Sequence, residues 1–188
     1  MEHFYQHERF GENYFTYPTL YTNMIAEIPD GGSIVEIGCW KGRSIAYLAV
    51  EVANSGKNIA ITAVDPFTGS IEHSDMDIIK SQSLFDCFCS NIEPVKDMVR
   101  VLQMKSEDAY RLFRDESQDF VFIDGCHEWE CVRKDIICWY HKIKPGGVLA
   151  GHDYIHPPVS KAVHMILGTV GKIEDTGDGC WLFKKEAR

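Results

Sequence analysis

The sequence has no apolar run approaching the roughly 18–20 residues that a helix needs to span a bilayer. It also has no cluster of Lys and Arg, and its formal net charge is -9 over 188 residues. An acidic chain without a basic segment binds the phosphate backbone poorly, so we expect neither a membrane nor a nucleic acid as its partner. Its first residues lack the basic and then apolar pattern of a signal peptide, which favours a cytoplasmic location.

Cysteine is present, but in an arrangement that disfavours two common roles. The seven cysteines are an odd number for a disulfide scaffold, and their spacings are not those of a zinc finger. Most of them lie within helix-like or strand-like patterns, so we expect reduced thiols in a cytoplasmic protein. With 45% hydrophobic and 25% charged residues, a chain of this length predicts one globular domain over residues 1–188.

The N-terminal residues 1–17 differ in composition from residues 18–185, which we interpret as the core of the domain. They are polar and aromatic, include several histidines and show no clear period. We predict a loosely ordered arm that covers a pocket or a partner subunit. The aromatic residues of this arm are compatible with a homodimer.

Strand-like and helix-like segments alternate along most of the core. Apolar runs of strand type start near residues 33, 58, 99, 119 and 148, and helical spacing of apolar residues occurs between them, for example over 78–92. Ser106 is the predicted N-cap of a further helix, and the tail over 173–183 is typical of a hairpin. This order predicts an α/β fold of the Rossmann-like, doubly wound kind, with a mostly parallel sheet, an antiparallel edge hairpin and helices on both faces.

Residues 33–44, Ser-Ile-Val-Glu-Ile-Gly-Cys-Trp-Lys-Gly-Arg-Ser, have the pattern of a nucleotide-binding loop. A buried strand carries Glu36, and Gly38 and Gly42 let the backbone approach a ligand before a helix begins. Asp65 follows the second strand about 20–25 residues later, where a carboxylate can accept hydrogen bonds from the ribose of an adenosine cofactor. The strict Gly-x-Gly-x-x-Gly of nicotinamide dehydrogenases is absent, which counts against that class without removing it as an alternative.

Two later strands also end in ionisable residues. Asp124 and His127 follow the fourth strand, and His152 and Asp153 follow the fifth. Because parallel strands end at one edge of a sheet, these groups crowd together and repel unless a cation or hydrogen-bond donors neutralise them. Two carboxylates suit Mg²⁺, Mn²⁺ or Ca²⁺, and an imidazole favours Mn²⁺ or a later transition metal. Support of a site through hydrogen bonds is the alternative role for the same side chains.

Together these motifs resemble the class I S-adenosylmethionine-dependent methyltransferases, and within them the branch of cephalosporin-hydroxylase-like and macrolide-sugar O-methyltransferases. The resemblance covers about residues 18–185. It rests on Val-Glu-Ile-Gly at 35–38, Gly-Arg-Ser at 42–44, Val-Asp at 64–65, Phe-Ile-Asp-Gly-Cys-His at 122–127, Lys-Pro-Gly-Gly at 144–147 and Gly-His-Asp at 151–153. Two positions depart from the pattern: Trp40 replaces the middle glycine of the loop, and His152 stands where some relatives carry a second carboxylate.

The resemblance implies a seven-stranded sheet whose seventh strand is inserted antiparallel beside the fifth. It implies S-adenosylmethionine as the cofactor, with Phe67 on the adenine, and a set of cofactor-binding residues: Glu36, Gly38, Gly42, Ser44, Asp65, Phe67, Ser106, Glu107 and Asp124. It implies His127 as a general base and Asp124 and Asp153 as ligands of Mg²⁺ or Mn²⁺, and we predict His152 beside them as a nitrogen ligand of the same ion.

The implied function is O-methylation of a hydroxyl on a sugar or another polar small molecule. A nicotinamide dehydrogenase and a non-catalytic protein that binds S-adenosylmethionine are the alternatives. These differ in one respect that can be tested, because only the enzyme should lose turnover, with cofactor affinity nearly kept, when His127 is removed.

Overall fold

A computed structural model describes residues 1–70 and 73–187. Its strands are β1 (Ser33–Ile37), β2 (Ala60–Val64), β3 (Val99–Leu102), β4 (Gln118–Ile123), β5 (Ile143–Gly151), β6 (Ile173–Asp175) and β7 (Trp181–Lys184). They form one seven-stranded sheet in the order β3-β2-β1-β4-β5-β7-β6. The first five strands pair in parallel, whereas β7 runs antiparallel to both β5 and β6. The predicted doubly wound sheet with an antiparallel edge hairpin is confirmed.

One helix precedes β1, and the other helices lie in the connections between the strands from β1 to β6. They are α1 (Pro18–Glu27), α2 (Arg43–Ser55), α3 (Asp77–Lys80), α4 (Leu84–Asn91), α5 (Ser106–Ala109), α6 (Trp129–Tyr140) and α7 (Pro157–Leu167). Short 3-10 turns lie at Glu8–Phe10, Glu93–Met98 and Tyr110–Leu112. Across residues 1–70 and 73–187, none of the helices combines the length and apolar character required to cross a membrane.

The two faces of the sheet bury separate apolar clusters. Phe120 and Phe122 of β4 belong to the cluster that includes α1, α2 and α4, while Val121 and Ile123 belong to the cluster that includes α6 and α7. This alternation follows from the two-residue period of a strand. The nearly continuous apolar runs of the central strands are therefore those of a sheet that is covered by helices on both faces, as predicted.

The single helix predicted over 78–92 is instead two helices, α3 and α4. Gln82 lies between them with a φ of 57°, in the left-handed region that interrupts a helix. Leu84 and Phe88 of α4 are buried, whereas Ile78 and Ile79 of α3 are only partly buried against the same cluster. The prediction of one helix was wrong because the helical spacing of apolar residues continues across Gln82, where the backbone leaves the helical conformation.

Ser106 is also placed differently from its prediction as an N-cap. It is the first residue of α5, and Lys105 holds the capping position without a side-chain hydrogen bond. The Ser106 hydroxyl accepts a hydrogen bond from Nε1 of Trp139 at 2.7 Å instead. A partner on α6, 33 residues away in sequence, thus determines the orientation of this side chain.

Residues 1–17 pack against the core, which differs from the loosely ordered arm that we predicted. The Arg43 guanidinium of α2 donates one hydrogen bond to the carbonyl oxygen of Tyr5 at 2.6 Å and another to that of Gly11 at 2.7 Å. Phe10 and Phe15 are buried. This burial offsets the conformational entropy that the arm loses on ordering. The apolar residues of the arm show no regular spacing in the sequence, because most of the arm is neither helix nor strand.

Candidate active site

Four strand ends meet at one edge of the sheet and line a cleft of about 900 Å³. Gly38 follows β1, Asp65 follows β2, Asp124 follows β4, and His152 and Asp153 follow β5. The backbone ladder continues into these ends. The N–H of Gly38 donates a hydrogen bond to the carbonyl oxygen of Val64 at 2.9 Å. In the same way, the N–H of Asp124 donates to the carbonyl oxygen of Ile37 at 2.8 Å, and the N–H of His152 donates to that of Ile123 at 3.1 Å. The strands therefore fix the positions from which these side chains enter the cleft.

Gly38 is required by the close approach of β1 to β4. Its φ is 83°, and a Cβ atom there would lie 2.1 Å from the carbonyl oxygen of Asp124. Gly42 has a φ of 82° at the start of α2, and a Cβ atom there would lie 2.7 Å from the Ile92 side chain. The sequence pattern predicts that both glycines allow a ligand to approach the backbone closely. In the folded chain both also allow close contact with other atoms of the protein. Gly38 lines the cleft, and Gly42 is not among the residues that line it.

Backbone N–H groups surround the Asp65 carboxylate. Oδ2 accepts hydrogen bonds from the N–H of Cys39 at 2.8 Å and of Trp40 at 3.0 Å, and Oδ1 accepts one from Phe67 at 2.6 Å. Burial raises the pKa of Asp65, although these three hydrogen bonds act in the opposite direction. Asp65 thus holds together the loops that follow β1 and β2, and its contact with a ribose stays a prediction.

Trp40 adopts a left-handed backbone conformation, which glycine adopts more readily than other residues. Its φ is 47°, in the left-handed region, and its ring centroid lies 4.5 Å from that of His73. Both residues line the cleft. Trp40 therefore places an indole in the wall of the cleft.

Glu36 lies beneath the cleft rather than in it. It is fully buried, and its carboxylate accepts hydrogen bonds from the Tyr21 hydroxyl at 2.7 Å and from the Ser44 hydroxyl at 2.6 Å. Burial raises the pKa of Glu36 to about 8, although the hydrogen bonds from Ser44 and Tyr21 lower it. Glu36 therefore links β1 to α1 and α2 and orients Ser44, which does line the cleft.

Four ionisable side chains pair with one another where β4 and β5 end. His127 Nε2 lies 2.7 Å from Asp153 Oδ2. His152 Nδ1 lies 3.4 Å from the same oxygen and 3.5 Å from Asp124 Oδ1. Asp153 has a φ of 58°, so a non-glycine residue holds a left-handed conformation at this point. We call Asp124, His127, His152 and Asp153 the charged edge.

The protonation of the charged edge follows from these contacts. Burial lowers the pKa of His152, but the hydrogen bonds to Asp124 and Asp153 and their charges more than offset this and raise it to about 10. Burial raises the pKa of Asp153, but hydrogen bonds from His127 and His152 bring it well below its ordinary value. With no ion bound, His152 is thus an imidazolium at neutral pH and neutralises part of the carboxylate charge.

Asp124, His152 and Asp153 also have the donor set of a metal site. One ligand atom from each lies within 4.8 Å of the other two. Two carboxylates and one imidazole suit a hard or borderline divalent cation such as Mg²⁺ or Mn²⁺. These residues fit such an ion, which would have to displace the proton of His152.

A family profile described as a methyltransferase domain matches residues 35–154, which include every strand end described above. The chain belongs to the class I S-adenosylmethionine-dependent methyltransferases. The predicted class of enzyme is thereby confirmed.

Solved structures with a similar fold include enzymes of several kinds. The O-methyltransferase NovP has a TM-score of 0.71 and 15% identity, over 91% of this chain and 80% of NovP. CalS11, a TDP-rhamnose 3'-O-methyltransferase of calicheamicin biosynthesis, has a TM-score of 0.60 and 14% identity, over 89% and 76%. A candidate rRNA methylase from Clostridium thermocellum has a TM-score of 0.60 and 13% identity, over 91% and 96%. At these identities the similarity establishes the fold of the methyltransferase and not its acceptor.

The cleft of the methyltransferase brings together most of the residues predicted for the site. Those that line it are Gly38, Ser44, Asp65, Ser106, Glu107, Asp124, His127, His152 and Asp153. Phe67 is not among them. Its side chain is buried, with its ring centroid 5.1 Å from that of Phe85 and 4.7 Å from that of Phe88. The structure therefore does not present Phe67 to an adenine.

Sequence reasoning missed Asp135, a buried carboxylate of α6 that lines the cleft beside Ser106. Burial raises the pKa of Asp135 to about 6, against a hydrogen bond with Ser106 that lowers it. One signal could have found it, because Asp135 interrupts the apolar stripe of α6 that includes Val132, Ile136 and Trp139. A carboxylate on the buried face of a helix requires a partner.

The N-terminal arm also contributes to this site. The Tyr17 hydroxyl donates a hydrogen bond to Asp124 Oδ2 at 2.7 Å, and Thr16 Oγ1 lies 3.2 Å from His152 Nε2. Both residues line the cleft. The arm therefore forms a wall over the charged edge, and its contacts were not readable from the sequence because its residues lie more than 100 positions from their partners.

Proposed function

We propose that this methyltransferase transfers a methyl group to a hydroxyl oxygen of a small polar molecule, such as a sugar or a diol. The observation that carries the proposal is the 2.7 Å contact between His127 Nε2 and Asp153 Oδ2 on the wall of the cleft. When Nε2 bears the proton that it donates to Asp153, the lone pair lies on Nδ1. A carboxylate that fixes the tautomer and orientation of an imidazole is a recurrent arrangement of general bases.

The cofactor is proposed to lie over the ends of β1 and β2. When bound, S-adenosylmethionine supplies an electrophilic methyl group on its sulfonium. Gly38 and Asp65 offer backbone and carboxylate contacts at this end, and Ser106 and Glu107, which follow the neighbouring strand β3, also line the cleft. Glu36 and Gly42 act from behind the wall, the former by orienting Ser44. We propose for Phe67 a packing role in the loop after β2 rather than contact with adenine.

The charged edge is proposed to hold a divalent cation through Asp124, His152 and Asp153. When bound, such an ion supplies Lewis acidity that lowers the pKa of an acceptor hydroxyl. Asp153 has two carboxylate oxygens, so it can keep its contact with His127 while it offers the other to an ion. The chain's own task is then to align the hydroxyl, exclude water and accept its proton at His127.

A small acceptor suits the charge of the chain. A net charge of -9 repels the phosphates of a nucleic acid, which disfavours RNA as the acceptor despite the fold shared with a candidate rRNA methylase. The fold shared with CalS11, named as acting on TDP-rhamnose, supports sugars as the first acceptors to examine. A panel of free sugars, nucleotide-linked sugars, catechols and an RNA oligonucleotide separates these classes.

The test combines binding with turnover. Calorimetry with S-adenosylmethionine and S-adenosylhomocysteine, in EDTA and then in Mg²⁺ or Mn²⁺, should show micromolar binding that Asp65→Ala abolishes. The panel should then give metal-stimulated methyl transfer to a sugar or a diol, measured as S-adenosylhomocysteine release. Cofactor binding with transfer to RNA alone, or with equal transfer in EDTA, would contradict the proposed acceptor or the proposed metal respectively.

His127→Ala tests the proposed base. We expect kcat to fall by about 10²–10⁴-fold with cofactor affinity nearly unchanged, because proton removal is lost while the cofactor contacts remain. His156→Ala is the matched control, since His156 Nε2 lies 3.6 Å from Asp153 Oδ1 on a more exposed ring. Equal losses in the two variants would show that His127 has no special role.

A further inference from the structure

A second group of metal-ligating side chains lines the cleft, apart from the charged edge. Cys126 lies in the loop after β4, Glu128 directly precedes α6, and Cys131 lies in the first turn of that helix. One ligand atom from each of the three, two sulfurs and a carboxylate oxygen, lies within 4.8 Å of the other two. The proposed methyl transfer uses none of these residues.

These separations are close to those of ligands on one ion. A tetrahedral Zn²⁺ holds sulfur at about 2.3 Å and carboxylate oxygen at about 2.0–2.2 Å, which places its ligand atoms roughly 3.5–3.8 Å apart. Ligand atoms no more than 4.8 Å apart need to move by about 1 Å to reach that geometry. Cys126 and Cys131 are half-buried and Glu128 is exposed, which leaves their side chains room to change rotamer.

The donor atoms select a different kind of metal from the charged edge. Thiolates favour soft and borderline cations, whereas the oxygens of Asp124 and Asp153 favour Mg²⁺ and Mn²⁺. All three residues of the second group line the cleft, so an ion that they hold would lie at its wall, within reach of a molecule in the cleft. Three protein ligands with one open position is the arrangement of a metal site that binds an exchangeable ligand.

We propose that Cys126, Glu128 and Cys131 form a binding site for one thiophilic divalent cation of the Zn²⁺ class, separate from the charged edge. Its fourth ligand is a water molecule or a donor atom of a molecule in the cleft. Binding releases the protons of the two thiols and leaves their oxidation state unchanged. The methyltransferase therefore carries two neighbouring sites of opposite metal preference.

Cobalt is the probe that distinguishes the two sites. The full chain, reduced and freed of metal, is titrated with Co²⁺ in millimolar Mg²⁺ and then with Zn²⁺. We expect one equivalent of Co²⁺ to produce a near-ultraviolet band of thiolate-to-metal charge transfer, and one equivalent of Zn²⁺ to remove it. No such band, or a band that Zn²⁺ leaves in place, would overturn the proposal.

Substitutions then assign the ligands. Cys126→Ser and Cys131→Ser should each weaken Co²⁺ binding by about 100-fold or more, since even loss of a residue that only supports a ligand costs about 10–100-fold. Glu128→Gln should weaken binding while keeping the intensity of the band, because both sulfurs remain. An unchanged affinity in Glu128→Gln would remove this carboxylate from the site.

Three controls keep the outcome interpretable. Cys87→Ser and Cys89→Ser replace cysteines of α4 and should leave the band unchanged. Asp153→Asn should also leave it unchanged, because that residue belongs to the charged edge. A band lost in Asp153→Asn, or kept in Cys126→Ser and Cys131→Ser, would overturn the separate site. Binding of S-adenosylhomocysteine by each variant shows that it is folded.

Discussion

The two halves of the cleft satisfy their polar groups in different ways. Around β1 and β2, the Asp65 carboxylate accepts hydrogen bonds from backbone N–H groups, and Glu36 accepts hydrogen bonds from two hydroxyls. Where β4 and β5 end, the charged edge relies largely on carboxylate–histidine pairs, together with hydroxyls from the N-terminal arm. We call the first half the scaffold, because neutral donors satisfy its carboxyl groups. In the second half the carboxylates pair with histidines, so protonation or a bound cation can change these contacts. Substitutions in the first half should therefore act on stability, and those in the second on turnover.

Asp153→Asn should give the largest effect and act on turnover. It removes the carboxylate that orients His127 and contacts His152, so kcat should fall by about 10²–10⁴-fold with stability and cofactor affinity little changed. Steady-state kinetics, urea denaturation and calorimetry with S-adenosylhomocysteine measure the three quantities. Asp75→Asn, at a fully exposed carboxylate, is the control. A loss of cofactor binding equal to the loss of kcat would contradict the division between the two halves.

Asp65→Ala should act on stability as well as on the cofactor binding proposed above. It leaves three backbone N–H groups near the cleft without their acceptor, which costs about 3 kcal/mol of unfolding free energy when water replaces the carboxylate only in part. Urea denaturation measures this loss. Asp65→Asn keeps one acceptor oxygen and should recover part of the stability. Unfolding free energies equal to that of the unsubstituted chain would show that the loop does not depend on Asp65.

Glu36 should make the stability of the scaffold depend on pH. Burial raises its pKa to about 8 in the folded chain from an ordinary value of 4.5, so its contribution is complete below pH 4.5 and is lost as pH rises through 8. Glu36→Gln should remove this dependence, which is roughly 3.5 kcal/mol between pH 5 and pH 8. Denaturation of both proteins at the two values measures it. A pH dependence that is the same in both would place the titration elsewhere.

Two tyrosines allow the smallest and most closely matched comparison. Tyr17 donates to Asp124 at 2.7 Å on the charged edge, and Tyr21 donates to Glu36 at 2.7 Å in the scaffold. Tyr21→Phe should lower the unfolding free energy by about 1 kcal/mol more than Tyr17→Phe does. Water cannot replace the lost hydroxyl at Glu36, which is fully buried, but it can do so at Asp124, which is 22% exposed. Thermal denaturation of the pair tests this. A larger cost for Tyr17→Phe would reverse the proposed contrast.

Much of the site was predictable because it depends on local patterns. Asp65, Asp124 and Asp153 were predicted to lie at one edge, since each directly follows or lies next to an apolar run and parallel strands end together. The division of labour among them was not predictable. Nothing in the sequence indicates that Asp65 is bound by backbone N–H groups while Asp153 pairs with histidines. Such partners depend on how loops from separate elements fold over one another.

The error in the helix predicted over 78–92 has the same origin. The predicted helix over 78–92 kept its apolar spacing through the break at Gln82, since spacing is insensitive to a single left-handed residue. The resemblance implies Phe67 on an adenine, which stays a prediction; in the folded chain its backbone N–H donates to the Asp65 carboxylate and its ring packs on α4. For both segments, neighbours in the sequence were the basis of the expectation, whereas contacts with other elements set the observed conformation.

The sequence by itself determined the alternation of strands and helices, the antiparallel edge and the ionisable residues at the strand ends. These depend on the periods of two and 3.6 residues and on turn chemistry, which act over a few residues. Only the tertiary structure decided that Tyr17 reaches Asp124 across 107 residues, that Glu36 lies beneath the cleft, and that two cysteines and a glutamate meet at its wall. Side-chain contacts over such distances follow from packing of the whole chain, which no local pattern encodes.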